Sequence, residues 1–164
     1  MPSNERKAEP KPEPKTEAKS ANRPDVSDLL CFAIYSTGHA FNRVYKPLLD
    51  ELGLTYPQYL VMVALWAEND QTVGQLGDRL FLESSTLTPL LKRLEALGLV
   101  TRKRDPKDER QVRLRLTDKG ANLRKRARDV GGCIIEAVGL SREAAVKLRG
   151  DIVRLRDNLM KAAK

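Results

Sequence analysis

The chain has few of the residues that metal sites and membrane anchors require. Its 164 residues include one histidine and two cysteines, whereas a zinc site needs several such ligands at fixed spacing. No apolar run approaches the roughly 18 residues of a membrane-spanning helix, and no apolar stretch near the N-terminus resembles a secretory signal. We therefore expect a cytoplasmic protein that uses no metal or other cofactor and no membrane, with both thiols reduced.

Apolar side chains are almost absent from residues 1–27. This segment holds five of the nine prolines, and its six basic and five acidic residues nearly cancel in charge. A segment of this composition cannot bury enough surface to order itself. We therefore predict a disordered tail over residues 1–27 and a single folded domain over residues 28–164.

Helical periodicity and capping residues divide this domain into six helices. The predicted spans are Leu29–Val44, Tyr56–Glu68, Thr72–Leu80, Ser84–Leu97, Thr117–Val138 and a last helix that begins at Ser141. Either Ser27 or Asp28 would cap the first helix, and either Ser84 or Ser85 would cap the fourth. We expect Pro47 to kink the first segment or to restart it.

Two strand patterns follow Gly98, which we expect to end the fourth helix. They are Leu99–Arg104 and the strictly alternating Gln111–Leu116, separated by the short charged turn DPKDER. A hairpin that follows two helices joined by a tight turn is a winged helix-turn-helix, whose second helix enters the DNA major groove. The predicted fold class is mainly α with a small β-hairpin (α+β), with the DNA-binding lobe over residues 55–117.

The positive charge of the chain is concentrated on this lobe. Residues 92–125 carry 12 Lys or Arg against 5 Asp or Glu, in a chain whose net charge is +8. A basic surplus on one helix and one hairpin is typical of a DNA-binding surface, although charge runs also occur on solvated faces. The candidate DNA contacts on the fourth helix are Ser84, Ser85, Thr86, Thr88, Lys92 and Arg93. Arg110 at the wing tip would enter a minor groove or bind phosphate, and Asp108 would orient its guanidinium or form an exposed ion pair with it.

These patterns resemble the MarR family of bacterial transcription regulators. The segment DPKDERQVRLRLTDKG is similar to the family's wing, and the LTYPQYLV and TLTPLLKRLE blocks resemble the organic hydroperoxide resistance regulators (OhrR) of that family. The resemblance implies a homodimeric repressor of a palindromic operator in double-stranded DNA. It also implies dimerisation helices over residues 28–52 and 118–163. Ser85, where relatives commonly have glycine, departs from the pattern, as does the long tail.

The resemblance further implies that an organic hydroperoxide oxidises Cys31 and that the protein then releases DNA. In the family, tyrosines at the positions of Tyr35, Tyr45 and Tyr56 surround this cysteine and form hydrogen bonds with it. A second cysteine, late in the chain, forms a disulfide with the partner's reactive cysteine in one branch of these regulators. The resemblance implies this role for Cys133, and a sulfenic acid does condense with a thiol. A small cellular thiol is the other candidate partner of the oxidised cysteine.

The residues themselves give Cys31 independent support. It lies near the start of a predicted helix, where the helix dipole lowers the pKa of a thiol, and its neighbours are apolar. Tyr35 and Tyr45 project within about 40° of it on an ideal helix, yet Tyr45 is 14 residues, or roughly 21 Å, further along. Tyr45 could therefore reach Cys31 only from a second chain packed antiparallel. Ordinary packing of both cysteines and of the tyrosines is the alternative.

Three other functions compete with a peroxide-sensing repressor. A MarR-type repressor would sense a small phenolic ligand in the dimer cleft without cysteine chemistry. A thiol peroxidase using Cys31 and Cys133 would turn over without DNA, and the basic winged helix argues against it. A nucleoid protein would bind DNA without sequence preference and with steep salt dependence. We predict a regulator rather than an enzyme.

Overall fold

The computed structural model describes residues 25–163, and the chain divides after Ser36 into two compact units. Of the tail predicted over residues 1–27, residues 1–24 lie outside the described part. Val26–Asp28 form one turn of 3-10 helix, and the side chain of Asp25 accepts a hydrogen bond from the Ser27 N–H. This turn occupies the residues predicted to cap the first helix, so that capping prediction is wrong.

Seven α-helices and three short strands make up residues 25–163. The helices are α1 (Leu30–Asp50), α2 (Tyr56–Ala67), α3 (Val73–Leu80), α4 (Ser84–Ala96), α5 (Asp118–Arg126), α6 (Arg128–Val138) and α7 (Arg142–Ala162). The strands are β1 (Gln71–Thr72), β2 (Val100–Arg104) and β3 (Val112–Leu116). The predicted fold class, mainly α with a small β-hairpin, is confirmed.

Capping hydroxyls start three helices where the sequence predicts them. Each accepts a hydrogen bond from the backbone N–H three residues later: Thr72 from Gln75 at 3.1 Å, Thr117 from Gly120 at 3.0 Å, and Ser141 from Ala144 at 3.2 Å. The cap predicted for α4 is wrong. The carbonyl of Glu83 already accepts the first helical hydrogen bonds, so Ser84 and Ser85 lie inside the first turn.

Two helix boundaries also differ from the prediction. α1 continues through Pro47 to Asp50, because Pro47 lies in the last turn and its missing N–H removes only one helical hydrogen bond. Lys46 and Asp50 form an i,i+4 ion pair of 2.7 Å across that turn. The predicted fifth helix is interrupted at Ala127, which ends α5 and precedes α6. Gly98 ends α4 as predicted, with a φ of 69° that favours glycine.

β3 is the central strand of a three-stranded antiparallel sheet in the order β1-β3-β2. Leu114 of β3 is paired with Gln71 on one side and with Arg102 on the other. The hairpin of β2 and β3 is the predicted one, whereas β1 has only two residues and was not predicted. The wing is thereby joined through β3 to the segment just before α3.

Apolar side chains form two cores within the unit that begins at Thr37. In the first, which joins α2, α3, α4 and the sheet, the completely buried side chains include Val61, Met62, Leu76, Leu87, Leu91, Leu94 and Leu114. The second is built on Leu49, Val130 and Ile134, where the end of α1 meets α6, and three tyrosines pack against it. Tyr59 and Leu52 pack against both cores.

α7 carries an apolar stripe that a single chain leaves uncovered. None of its 21 residues is buried, and Ile152 and Leu159 are 47% and 60% exposed. Phe41 and Val44 of α1 are also exposed. Among the described residues, no helix combines the length and the apolar character needed to cross a membrane.

Gly120→Ala tests the contact between α5 and the start of β2. A Cβ on Gly120 would overlap the carbonyl oxygen of Leu99, so the backbone must shift to admit it. We expect this variant to lower the free energy of unfolding by roughly 1–3 kcal/mol, as overpacking does, in urea denaturation. Gly74→Ala is the matched control, since its Cβ would meet Thr72 Oγ1 at an ordinary 3.8 Å. Equal stability of the two variants would contradict the close approach.

Candidate functional site

The exposed side of α4 carries the predicted DNA contacts. Ser84, Ser85, Thr86, Lys92 and Arg93 are exposed, whereas the helix turns Leu87, Leu91 and Leu94 into the first core. Thr88 is half-buried, and its hydroxyl donates a 2.7 Å hydrogen bond to the Ser84 carbonyl. Its oxygen can still accept a hydrogen bond. The core contacts thus hold α4 with hydroxyls and two cations facing solvent, as a recognition helix requires.

At the wing tip, Arg110 is exposed and Asp108 shapes the turn. The Asp108 carboxylate accepts hydrogen bonds from the Arg110 backbone N–H at 3.1 Å and from Gln111 Nε2 at 3.0 Å. Within residues 25–163, Arg110 forms no ion pair. The ion pair predicted between Asp108 and Arg110 is therefore absent, and Asp108 instead accepts from the Arg110 backbone and from the Gln111 amide. The Arg110 guanidinium remains available to a nucleic acid.

An ion-pair network that the sequence did not reveal holds the base of the wing. Arg113 Nε lies 2.8 Å from Asp70 Oδ1, and Arg113 Nη1 lies 2.8 Å from Asp105 Oδ2. Arg115 Nη2 lies 2.9 Å from Asp70 Oδ2. Hydrogen bonds from Arg115 and Arg113 lower the pKa of Asp70 to about 2, so its carboxylate is ionised at neutral pH. Arg113 thus bridges the turn before β1 and the first residue of the wing loop.

Because of these ion pairs, part of the basic surplus is already paired with acidic side chains. Of the 12 cations in residues 92–125, Arg102, Arg113 and Arg115 form ion pairs within the described chain, with Glu95, Asp70 and Asp105. The remaining nine, including Lys92, Arg93 and Arg110, do not. Asp70 lies outside that window, so a count along the sequence cannot detect its effect. The signal that could have indicated it is a pair of outward-facing arginines on β3, which would be stabilised by acidic side chains nearby.

Cys31 lies in the first turn of α1, as predicted from the sequence, and its thiol is exposed in the single chain. Its Sγ makes no hydrogen bond among the described residues of its own unit, 25–36. Tyr35, one turn later, is 63% exposed, and its ring lies 6.4 Å from that of Phe32 between centroids. In the single chain Cys31 is therefore exposed to solvent.

Tyr45 and Tyr56, predicted to serve one site, lie in contact. Their ring centroids are 4.6 Å apart, and Tyr59, which was not predicted, lies 6.0 Å from Tyr45. Burial raises the pKa of Tyr45 to about 12, with smaller contributions from the other two tyrosines. Burial also raises the pKa of Tyr56 and of Tyr59. The three hydroxyls therefore stay protonated at neutral pH and can donate hydrogen bonds.

Tyr59 connects this tyrosine cluster to the DNA lobe. Its ring lies 6.2 Å from that of Trp66, between centroids and edge to face. The indole N–H of Trp66 donates a 2.9 Å hydrogen bond to the carbonyl of Gly120, in the first turn of α5. A shift of the cluster would thus reach the helix that directly follows the wing.

Cys133 is the other free cysteine, and it is exposed on α6. Its neighbour Ile134 lines an apolar cavity of about 310 Å³ between α1, α6 and α7. The other lining side chains are Thr37, Ala40, Phe41, Val44, Ala137, Val138, Leu140 and Leu148. No group of His, Cys, Asp or Glu that could hold a metal ion occurs among residues 25–163.

The raised tyrosine pKa values predict a loss of stability at high pH. The pKa of Tyr45 is about 12 in the folded protein and 10.0 in the unfolded chain, so the unfolded chain binds fewer protons between these values. The stability present below about pH 10 should therefore fall as pH rises toward about 12. We expect Tyr45→Phe to flatten this part of the curve in urea denaturation. An unaltered slope in Tyr45→Phe would contradict the assignment.

A family profile and an individual protein both resemble this chain in sequence. The family profile of the transcriptional regulators SarA/Rot matches residues 43–126. The organic hydroperoxide resistance transcriptional regulator of Bacillus subtilis (strain 168) is 47% identical over 124 residues, which cover 76% of this chain and 82% of that protein.

Solved structures agree with this sequence likeness. Reduced AbfR bound to DNA, from Staphylococcus epidermidis, has a TM-score of 0.73 at 35% identity, over 85% of this chain and 95% of AbfR. Disulfide-formed AbfR has a TM-score of 0.56 at 35% identity, over 79% and 91%. PcaV of Streptomyces coelicolor, in complex with its natural ligand, has a TM-score of 0.75 at 27% identity, over 83% and 97%. The chain therefore belongs to the MarR-like family of transcriptional regulators that includes SarA/Rot and the organic hydroperoxide resistance regulators, as its wing and helix blocks predicted.

Proposed function

We propose that the protein is a cytoplasmic repressor that binds operator DNA while Cys31 is reduced and releases it when an organic hydroperoxide oxidises this cysteine. The observation that carries the proposal is the exposed Cys31 thiol in the first turn of α1, in a chain that also has a winged-helix lobe. The likeness to an organic hydroperoxide resistance regulator supports the signal, and the likeness to DNA-bound AbfR supports the target.

DNA binding would use the winged-helix geometry. α4 would enter the major groove with Ser84, Ser85, Thr86, Thr88, Lys92 and Arg93 towards base edges and phosphates. Arg110 at the wing tip would enter the adjacent minor groove or bind a phosphate. Two such lobes about 34 Å apart would read a palindrome, one half-site each.

A homodimer would supply those two lobes. The uncovered apolar stripe of α7, with Ile152 and Leu159, and the exposed apolar side chains of α1 support a self-complementary interface. The dimerisation helices would be those of residues 28–52 and 118–163, as predicted. An antiparallel partner would also bring a second Tyr45 and Tyr56 to the start of α1, where the phenol hydroxyls would hydrogen-bond Cys31.

The sensing chemistry begins with the Cys31 thiolate. Its sulfur attacks the terminal oxygen of the hydroperoxide, the O–O bond breaks, and the alkoxide leaves and takes up a proton as the alcohol. Cys31 is then a sulfenic acid. The thiol of the partner subunit's Cys133 would next attack this sulfur, forming a disulfide and releasing water. The exposure of Cys133 and the disulfide form of AbfR support this second step.

The tyrosine cluster would transmit the change to the DNA lobe. Tyr45 and Tyr56 pack against the second core, and Tyr59 packs against both cores. Oxidation that removes the hydrogen bonds of Cys31 frees these hydroxyls, and the rings must then repack. Because Tyr59 contacts Trp66, repacking would alter the spacing of the two recognition helices.

A second candidate function is the sensing of a small apolar or phenolic ligand. The apolar cavity between α1, α6 and α7 favours it, and PcaV, which is solved with its natural ligand, has the same fold. This function would need no cysteine, so the response of a Cys31 variant separates the two.

Cys31→Ser tests the proposed switch. We expect the variant to bind operator DNA as the reduced wild type does, because serine preserves the size of the side chain. After one equivalent of an organic hydroperoxide, the wild type should lose affinity whereas Cys31→Ser should not, and a thiol reductant should restore the affinity of the wild type. Fluorescence anisotropy with the upstream DNA of the gene measures both. Cys133→Ser removes a thiol but keeps the first oxidation step, so we expect it to release DNA after the hydroperoxide as the wild type does. Release of DNA by oxidised Cys31→Ser would contradict the proposal.

Ile152→Glu tests the proposed dimer interface. A carboxylate at this position would have to leave water in the proposed interface, so we expect the dimer to become monomeric, as measured by light scattering after gel filtration. Val63→Glu is the matched control, because Val63 is also exposed, at 41%, but lies on α2 of the DNA lobe. A dimeric Ile152→Glu variant would place the interface elsewhere.

A further inference from the structure

We propose that Asp70 is a positioning residue for DNA binding: it fixes the wing on the lobe so that Arg110 and α4 engage DNA together. The proposal rests on the proposed DNA-binding function of the winged-helix lobe. It assigns a role to an acidic residue outside both α4 and the wing.

Asp70 binds Arg113 through its carboxylate and through its backbone carbonyl. Its Oδ1 accepts from Arg113 Nε at 2.8 Å, and its carbonyl oxygen accepts from Arg113 Nη2 at 2.6 Å. Its Oδ2 accepts from Arg115 Nη2 at 2.9 Å. The two arginines lie on the same side of β3, so one carboxylate holds two points of the central strand. Charge-assisted hydrogen bonds at these three points define the orientation of Asp70 against β3 as well as its contact with the strand.

Arg113 passes this constraint to the wing loop. Its Nη1 donates to Asp105 Oδ2 at 2.8 Å, and Asp105 is 7% exposed at the base of the loop. The Asp105 N–H donates to the Gln111 carbonyl at 2.9 Å and closes the loop that carries Arg110. Asp105 Oδ1 accepts from the Lys107 N–H at 2.8 Å. The path from Asp70 to the tip is therefore a continuous set of short contacts.

The turn that presents Asp70 is itself attached to β3. Asp70 has a φ of 61°, a left-handed conformation that aspartate and asparagine tolerate better than most residues. Asn69 Oδ1 accepts from the Asp70 N–H and from the Leu116 N–H, each at 2.9 Å. The Asn69 side chain and the Asp70 carboxylate thus both bind residues of β3.

Charge and position predict opposite effects of removing the Asp70 carboxylate. DNA is a polyanion, so loss of a negative charge from a DNA-binding lobe should by itself tighten binding. Loss of the wing anchor should instead weaken binding, because Arg110 would no longer be held in register with α4. The sign of the change therefore separates the two roles.

Asp70→Asn is the principal variant, since asparagine keeps the size and tolerates the left-handed backbone. We expect roughly tenfold weaker binding to operator DNA by fluorescence anisotropy, with the wild type measured in parallel at the same salt. Asp78→Asn, at an exposed acid of α3, is the charge-matched control and should bind as the wild type does or slightly more tightly. Arg113→Lys keeps the charge but cannot span Asp70 and Asp105, and it should lose affinity like Asp70→Asn.

A double-mutant cycle with Arg110→Ala tests whether Asp70 acts through the wing tip. We expect Asp70→Asn to have little further effect when Arg110 is already alanine. Hydroxyl-radical footprinting should show loss of minor-groove protection with Asp70→Asn while the α4 contacts remain. Thermal unfolding shows whether each variant folds. If Asp70→Asn does not fold, Arg113→Lys takes its place in the cycle.

The outcomes are distinguishable. If the wild type binds no operator DNA, the proposed function fails. If it binds, and Asp70→Asn matches Asp78→Asn or adds its full effect to that of Arg110→Ala, the positioning role of Asp70 is overturned and the proposed function stands.

Discussion

The DNA lobe depends on the central position of β3 between β1 and β2. One side of this strand places Leu114, completely buried, in the first core, and the other side presents Arg113 to Asp70 and Asp105. Because β3 hydrogen-bonds to both neighbours, the hairpin cannot move without the segment that caps α3. α3 in turn packs against α4. The orientation of the wing and that of the recognition helix are therefore set by the same strand.

The second core imposes a different constraint on the rest of the chain. It joins the end of α1 to α6 through Leu49, Val130 and Ile134, and the tyrosine cluster covers it. Tyr59 belongs to the packing of both cores, so the tyrosines cannot rearrange without disturbing the DNA lobe. α7 leaves its apolar residues uncovered in the single chain. In the proposed dimer, the subunit interface, the sensing tyrosines and the contact of Tyr59 with Trp66 would all lie close together.

The positive charges of the lobe fall into two groups with different roles. Arg113 and Arg115 are held by acidic partners, so they stabilise the wing and contribute little net field. Lys92, Arg93 and Arg110 have no such partners within residues 25–163 and are free to meet phosphates or base edges. A net charge of +8 does not distinguish the groups. The geometry does, because a guanidinium between two carboxylates is already satisfied.

The amino-acid sequence determined the features that depend on near neighbours. The caps at Thr72, Thr117 and Ser141 bond three residues ahead, and the alternation in β3 repeats every two residues, so both leave a local pattern. The tertiary structure decided what distant residues do together. Asp70 meets Arg113 across 43 positions, and β1 is too short for any periodicity. Tyr59 belongs to the tyrosine cluster because α2 packs against α1. Contacts between helices depend on the shape and burial of side chains, and the spacing of residues along the chain does not encode them.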